Sequence, residues 1–246
     1  VVKTENYDAS SYVATSYIKT DPTSNAFTLG SQGTINIQEG LILRIENNNN
    51  IKEKATSFRG TINLEPNAKL IIDGVADFSG ATINMGEGAT LQVNGGLAQF
   101  MSNTIINATG PGANIIANKG GTIGSVILKG SGPVLTVKGD ASFTGGLTLS
   151  GDSVLRVTGD ATRRDTTTVS ALGNGTIRIE GSCAPYRAVT VTGDDSVLTL
   201  DGDVSFNSPI NFNEGGTLHV TGKAGFGGSA TINASGKAAI RVEGDC

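Results

Sequence analysis

An apolar residue, any residue, a second apolar residue, any residue and then glycine recur along nearly the whole chain, and this pattern restricts the fold more than any other feature. It reads LIIDG at 70–74, LQVNG at 91–95, LTVKG at 135–139, LRVTG at 155–159, IRIEG at 177–181, LTLDG at 198–202, LHVTG at 218–222 and IRVEG at 240–244. Successive closing glycines stand 21, 44, 20, 22, 21, 20 and 22 residues apart, and the 44 contains one degenerate coil around Asn114–Ala117. Alternation puts one face of each pentad into a core and the other into solvent, and glycine turns the corner. A single unit of this size cannot bury its own apolar face, so stability must come from stacking on neighbours.

After each corner comes a large apolar slot, filled by Phe58, Phe78, Phe100, Phe143, Phe206 and Phe226. Six of the eight phenylalanines share this one position, which predicts an aromatic stack running up the interior. Beyond it lies a second strand, read as TINL at 61–64, TINM at 82–85, SVIL at 125–128, AVTV at 188–191 and TIN at 231–233. Turns such as SGDS at 150–153 and TGDD at 192–195 lead back to the pentad. Two clear strands and a shorter one per coil give a roughly triangular cross-section. The chain is therefore expected to be an all-β, parallel β-helix of about ten coils of about 21 residues, a rod about 48 Å long at about 4.8 Å per layer. Composition agrees: Gly 35, no Trp and only 16% charged residues suit many small layers, not a few bulky clusters.

The solenoid is expected over residues 26–246, with an irregular first coil at 27–47, a loop at 48–56 and regular coils from 58 to 246. Residues 1–25 do not repeat and read as a cap or connector; they hold Tyr7, Tyr12 and Tyr17, and 11–20 alternate like a capping strand. The chain starts at Val1 without Met, as a secreted protein does once its signal is removed. A net charge of −4 and a pI near 5.0 give no footprint for a phosphate backbone, so nucleic acid is not an expected partner. No apolar run approaches the roughly 18 residues of a membrane helix, and membrane insertion is not expected.

In coil length, alternation, glycine corners and Asn/Thr-rich strands, the chain over about 27–246 resembles the passenger domains of bacterial autotransporters and related filamentous haemagglutinin-like surface proteins. The resemblance implies a right-handed β-helix on a bacterial surface, where host or cell-surface glycans and proteins are the partners met. It carries over no functional residue, because no adhesin ligand motif, serine-protease domain or membrane barrel matches.

Candidate chemistry is sparse. His219 is the only histidine and takes an outward pentad position, which leaves His-dependent nucleophilic catalysis with one exposed base. Asp140, Asp160, Asp203 and Asp245 follow corner glycines, and Asp152, Asp194 and Asp195 sit in the opposite turn; turn chemistry accounts for both groups. Their spacing fits neither an EF-hand loop nor the nonapeptide calcium repeat, although stacked corner carboxylates are weak calcium candidates. Arg156, Arg178 and Arg241 face outward beside Lys138, Glu180, Asp201 and Glu243, which predicts a solvated ladder of ion pairs. Arg163, Arg164 and Asp165 interrupt the Phe slot and mark a possible contact patch. Sequons at Asn107, Asn174 and Asn233 reflect the Asn/Thr-rich strands. Cys183 and Cys246 occupy the small slot held elsewhere by Ala76, Ala141, Ala161, Val204 and Ala224. Three coils would separate them by about 14 Å, beyond the limit of about 7 Å for a disulfide. Cys246 is left as a candidate for intermolecular contact.

No catalytic residue, metal or cofactor is expected. The expected function is that of a non-catalytic extracellular subunit assembling with itself, head to tail, into a surface fibre or sheath. A segment of an autotransporter-type adhesin is the alternative, and a polysaccharide-active β-helix enzyme the second alternative.

Overall fold

The computed structural model describes residues 2–4, 15–19, 28–46, 55–101, 103–163, 168–186, 188–193 and 195–245. These form a parallel β-solenoid with three sheets of 12, 10 and 10 strands. In the first, here the pentad sheet, the strands run from Ile42–Glu46 through Lys69–Asp73, Thr90–Val93 and onward to Ala239–Val242. In the second, the Phe sheet, they run from Thr28–Leu29 to Ala224–Phe226, and in the third, the Asn sheet, from Thr34–Ile37 to Ile232–Ala234. One rung can be followed from Thr56 through Ala76, Ala98, Gly121, Ala141, Ala161, Cys183 and Val204 to Ala224. The expected ten coils thus resolve into eight full turns averaging 21 residues between Thr56 and Ala224, with a further coil's strands at each end.

In-register parallel pairing sets like on like. Leu70, Leu91, Ile115, Leu135, Leu155, Ile177, Leu198 and Leu218 form one inward row of the pentad sheet, and all are buried. Asn114–Ala117, the degenerate coil, takes its place in this sheet between Thr90–Val93 and Val134–Val137. The coil resumes at Thr56, which is buried and donates its backbone N–H to the Val75 carbonyl at 2.9 Å.

The aromatic column differs from the continuous stack that the repeat predicts. Phe58, Phe78 and Phe100 stack with centroids 5.1 and 5.2 Å apart and near-parallel rings. The same row then holds Ile123, Phe143 and Arg163, so aromatic residues no longer follow one another on adjacent rungs, and they return as Tyr186, Phe206 and Phe226. Phe206 and Phe226 stack at 5.5 Å. Phe58, Phe78, Phe100, Phe143 and Phe206 are buried, whereas Phe226 is 41% exposed. The reason is position: Phe226 lies in the last strand of its sheet, and no described strand covers it.

The corner glycines are required by packing more than by torsion angle. A Cβ on Gly202 would lie 2.5 Å from the carbonyl oxygen of Gly181, and one on Gly159 or Gly222 would lie equally near the carbonyl carbon of the glycine one coil earlier. Glycine stacks on glycine, and the chain can turn at one height per coil only if no side chain intervenes.

At the other end, Thr15–Lys19 lies parallel to Ile42–Glu46 and covers the pentad sheet's first regular strand, with Tyr17 on the rung of Arg44. Val2–Thr4 then pairs with Thr15–Lys19 in the opposite direction, the one antiparallel pair among the described residues. Tyr7, Tyr12, Arg164, Asp165, Asp194 and Cys246 lie outside the described residues.

Candidate functional site: the outward faces

The three sheets close the core, so the chemistry that the described residues offer lies on their outer faces, and each face has its own character.

The pentad sheet carries charge in two outward columns, at the third and fifth rungs of the register. Arg44, Arg156, Arg178, His219 and Arg241 stand in one; Asp73, Glu180, Asp201 and Glu243 in the other. The pairing is diagonal. Arg44 Nε reaches Asp73 at 2.5 Å, Arg156 reaches Glu180 at 2.6 Å, Arg178 reaches Asp201 at 2.8 Å and His219 Nε2 lies 3.0 Å from Glu243, in every case one coil onward. Arg241, in the last described coil, turns to Glu243 just beyond its own strand at 3.0 Å. His219's hydrogen bond, helped by the Arg241 guanidinium and opposed by desolvation, holds the Glu243 carboxyl below the usual glutamate range. These pairs are part-exposed and screened by solvent, so they add little to stability. The ladder's value is directional, since Arg44, Arg156, Arg178 and His219 each reach a carboxylate of the coil that follows, Arg178 also lying 3.6 Å from Glu180 of its own coil.

Amide ladders run along the axis on two faces. On the Asn sheet, Asn63 Nδ2 donates to Asn36 Oδ1 at 2.6 Å, Asn84 to Asn63 at 2.8 Å and Asn107 to Asn84 at 2.9 Å. Asn233 donates to Asn211 at 2.9 Å on the neighbouring outward row. On the pentad sheet, Asn118 donates to Asn94 at 2.9 Å and Asn94 to Asp73 at 3.0 Å. These ladders are the functional-looking feature that residue-by-residue reading misses. Their signal is the same TIN triplet recurring at 34–36, 61–63 and 82–84, which puts one amide directly above another. Two of the three sequons, Asn107 and Asn233, are rungs of these ladders. Asn174 instead lies in an exposed turn and donates to Asp152 Oδ1 at 2.7 Å.

The corner carboxylates have a structural occupation. Asp140 Oδ1 accepts the backbone N–H of Asp160 at 3.0 Å, Asp160 Oδ1 that of Ser182 at 2.9 Å and Asp203 Oδ1 that of Lys223 at 2.9 Å. Each clamps the corner of the next coil. An open groove of about 570 Å³ runs along this edge of the Phe sheet, lined by Asp160, Thr162, Ser182, Asp203, Ser205 and Lys223. Ala161 and Val204 of the small inward row also line it, with Gly225 on the outward rung of Ser205. Among the described residues no three His, Cys, Asp or Glu side chains are grouped as a metal would require, and no helix is long and apolar enough to cross a membrane.

Cys183 shares a rung with Ala161 and Val204, the small slot that the repeat assigns to it. His219 is a rung of the ion-pair ladder, facing Thr199 and Arg241 on adjacent strands. No family model matches this chain, and neither does any curated protein or solved structure.

Proposed function

We propose that the chain is a non-catalytic, extracellular structural element, a β-solenoid subunit that stacks end to end into a surface fibre or sheath. The observation that carries this reading lies at the last described coil. Phe226, Ile232 and Ile240 are 41%, 46% and 37% exposed, yet each pairs in register with a buried residue one coil earlier: Phe206, Ile210 and Leu218. A further parallel coil would bury all three and would take up the edge N–H and C=O groups, which otherwise invite irregular association. In the assembled rod the non-repeating residues 1–25 of one subunit meet this coil of the next. That contact is head to tail, so it propagates instead of closing. A structural role is supported by the corner aspartates Asp140, Asp160 and Asp203, each of which accepts a backbone N–H of the next coil at Oδ1. The extracellular setting rests on the resemblance to autotransporter passengers.

The second reading, a segment of an adhesin passenger, rests on the same edge, the next coil then coming from the same polypeptide. Negative-stain microscopy of the purified chain separates the two. Long unbranched filaments that are lost on deleting residues 1–25, and on appending a polar capping coil, support the fibre. Isolated short rods at all concentrations overturn it in favour of the adhesin segment. Filaments of unchanged axial repeat after the deletion overturn the role given to residues 1–25.

A further inference from the structure

Two asparagines in the chain are followed by glycine, Asn94 and Asn174. In such a pair the following backbone nitrogen reaches the side-chain carbonyl unhindered, because glycine has no Cβ and turns freely. The fold treats the two pairs oppositely.

Asn94 is locked. Its Oδ1 accepts from Gln92 Nε2 at 2.5 Å and from Asn118 Nδ2 at 2.9 Å, its Nδ2 donates to Asp73 Oδ1 at 3.0 Å, and its backbone N–H donates to the Ile72 carbonyl at 2.8 Å. Gly95 is stacked so closely that a Cβ there would lie 2.7 Å from the Gly74 nitrogen. Rotation of the 94–95 peptide would break the ladder and the corner together.

Asn174 lies in the exposed turn between the strands Thr168–Leu172 and Thr176–Ile179. Its amide keeps one hydrogen bond, Nδ2 to Asp152 Oδ1 at 2.7 Å. Around Gly175 the nearest atoms to a built Cβ are 3.2 Å away or more, and two of the three belong to side chains. Register adds a second feature: the rungs Val154, Thr176 and Val197 place Asn174 between Asp152 and Asp195 of the neighbouring coils. It is a neutral residue flanked by an aspartate on each adjacent coil, with Gly132 and Gly215 in the coils beyond.

We propose that Asn174 is a self-modification site, at which the chain deamidates without an enzyme. The Gly175 nitrogen attacks Cγ of Asn174; an N–Cγ bond forms, the Cγ–Nδ2 bond breaks, and ammonia leaves carrying the proton from the Gly175 nitrogen. Water then opens the five-membered imide at either carbonyl. One opening gives an aspartate; the other gives an isoaspartate, with the main chain rerouted through the side chain. Either product sets a third carboxylate between Asp152 and Asp195, where like charges on facing rungs oppose stacking. The turn thus carries a mark of the molecule's age at one defined coil.

The test is to hold the folded chain in mildly alkaline buffer made with heavy-oxygen water, then to map its peptides by mass. Heavy oxygen is expected at Asn174 first and several-fold faster than at Asn94. In concentrated urea, which removes the fold, the two are expected to convert alike. Gly175→Ala is expected to slow the reaction several-fold without unfolding the chain, since Ser153 and Ser196 hold the same rung in adjacent coils. Equal rates at Asn94 and Asn174 in the folded chain would overturn the proposal. So would conversion at Asn174 no faster than at Asn107 or Asn233, each followed by alanine.

Discussion

Phe143 tests how much a single interior side chain holds in place. It is 2% exposed and sits on a rung between Ile123 and Arg163, at the middle of the Phe row. Phe143→Ala is expected to cost about 3–5 kcal/mol in denaturant unfolding, the usual range for emptying a large buried slot. Phe226→Ala, at the exposed end of the same row, is expected to stay within about 1 kcal/mol. If both variants unfold alike, the row is not the core. The corner glycines make a second residue-scale case. Gly202→Ala forces a methyl against the Gly181 backbone and is expected to destabilise by about 1–3 kcal/mol, as overpacking does. Gly228→Ala, with open space around it, is expected to be neutral within about 0.5 kcal/mol by the same measurement. Alternation and spacing alone make the Phe row legible in the sequence. The pentad glycines are legible there as corners, but their reason is not: turn chemistry and coil-on-coil contact leave the same letter, and only register separates them.

At the scale of the element, the last pentad strand, Ala239–Val242, is bound on one side only among the described residues. His219 and Glu243 tie it to the strand Thr217–Val220. Because the Glu243 carboxyl titrates below its ordinary range in the folded chain, the tie is fully present above the unfolded glutamate value of about 4.3. It is lost as pH falls through the lower folded value. The protection of amides 239–242, taken relative to the unfolded chain at the same pH, is therefore expected to fall at strongly acid pH, and Glu243→Gln is expected to show the lower protection already at neutral pH. Identical exchange in wild type and variant at neutral pH would remove the tie. Here the sequence is partly legible. Mixed signs along the pentads announce an ion-pair ladder, but not its diagonal sense, because reach to the next coil depends on side-chain length and stagger. The amide ladders are less legible still: each Asn reads as an ordinary polar position until the triplets are laid over one another.

For the whole molecule, the three outer faces are an ion-pair ladder, an amide ladder and a groove edged by corner carboxylates that clamp backbone. In the groove, which brings Asp160, Asp203 and Lys223 to one edge, Oδ1 of each aspartate accepts a backbone N–H of the next coil, which favours a structural occupation over substrate cleavage. Incubation with a panel of acidic and neutral polysaccharides is expected to release neither reducing ends nor unsaturated products. Activity that disappears on changing Asp160 and Asp203 would place a catalytic centre in the groove and refute the structural reading. Parallel stacking has one more consequence, for load. The strands lie across the rod, so a pull on its two ends works against one coil's hydrogen bonds at a time instead of shearing a whole sheet at once. Each coil of about 21 residues that comes away releases about 70 Å of slack. A rod built this way yields at low tension in even steps and lengthens greatly before its last coil opens.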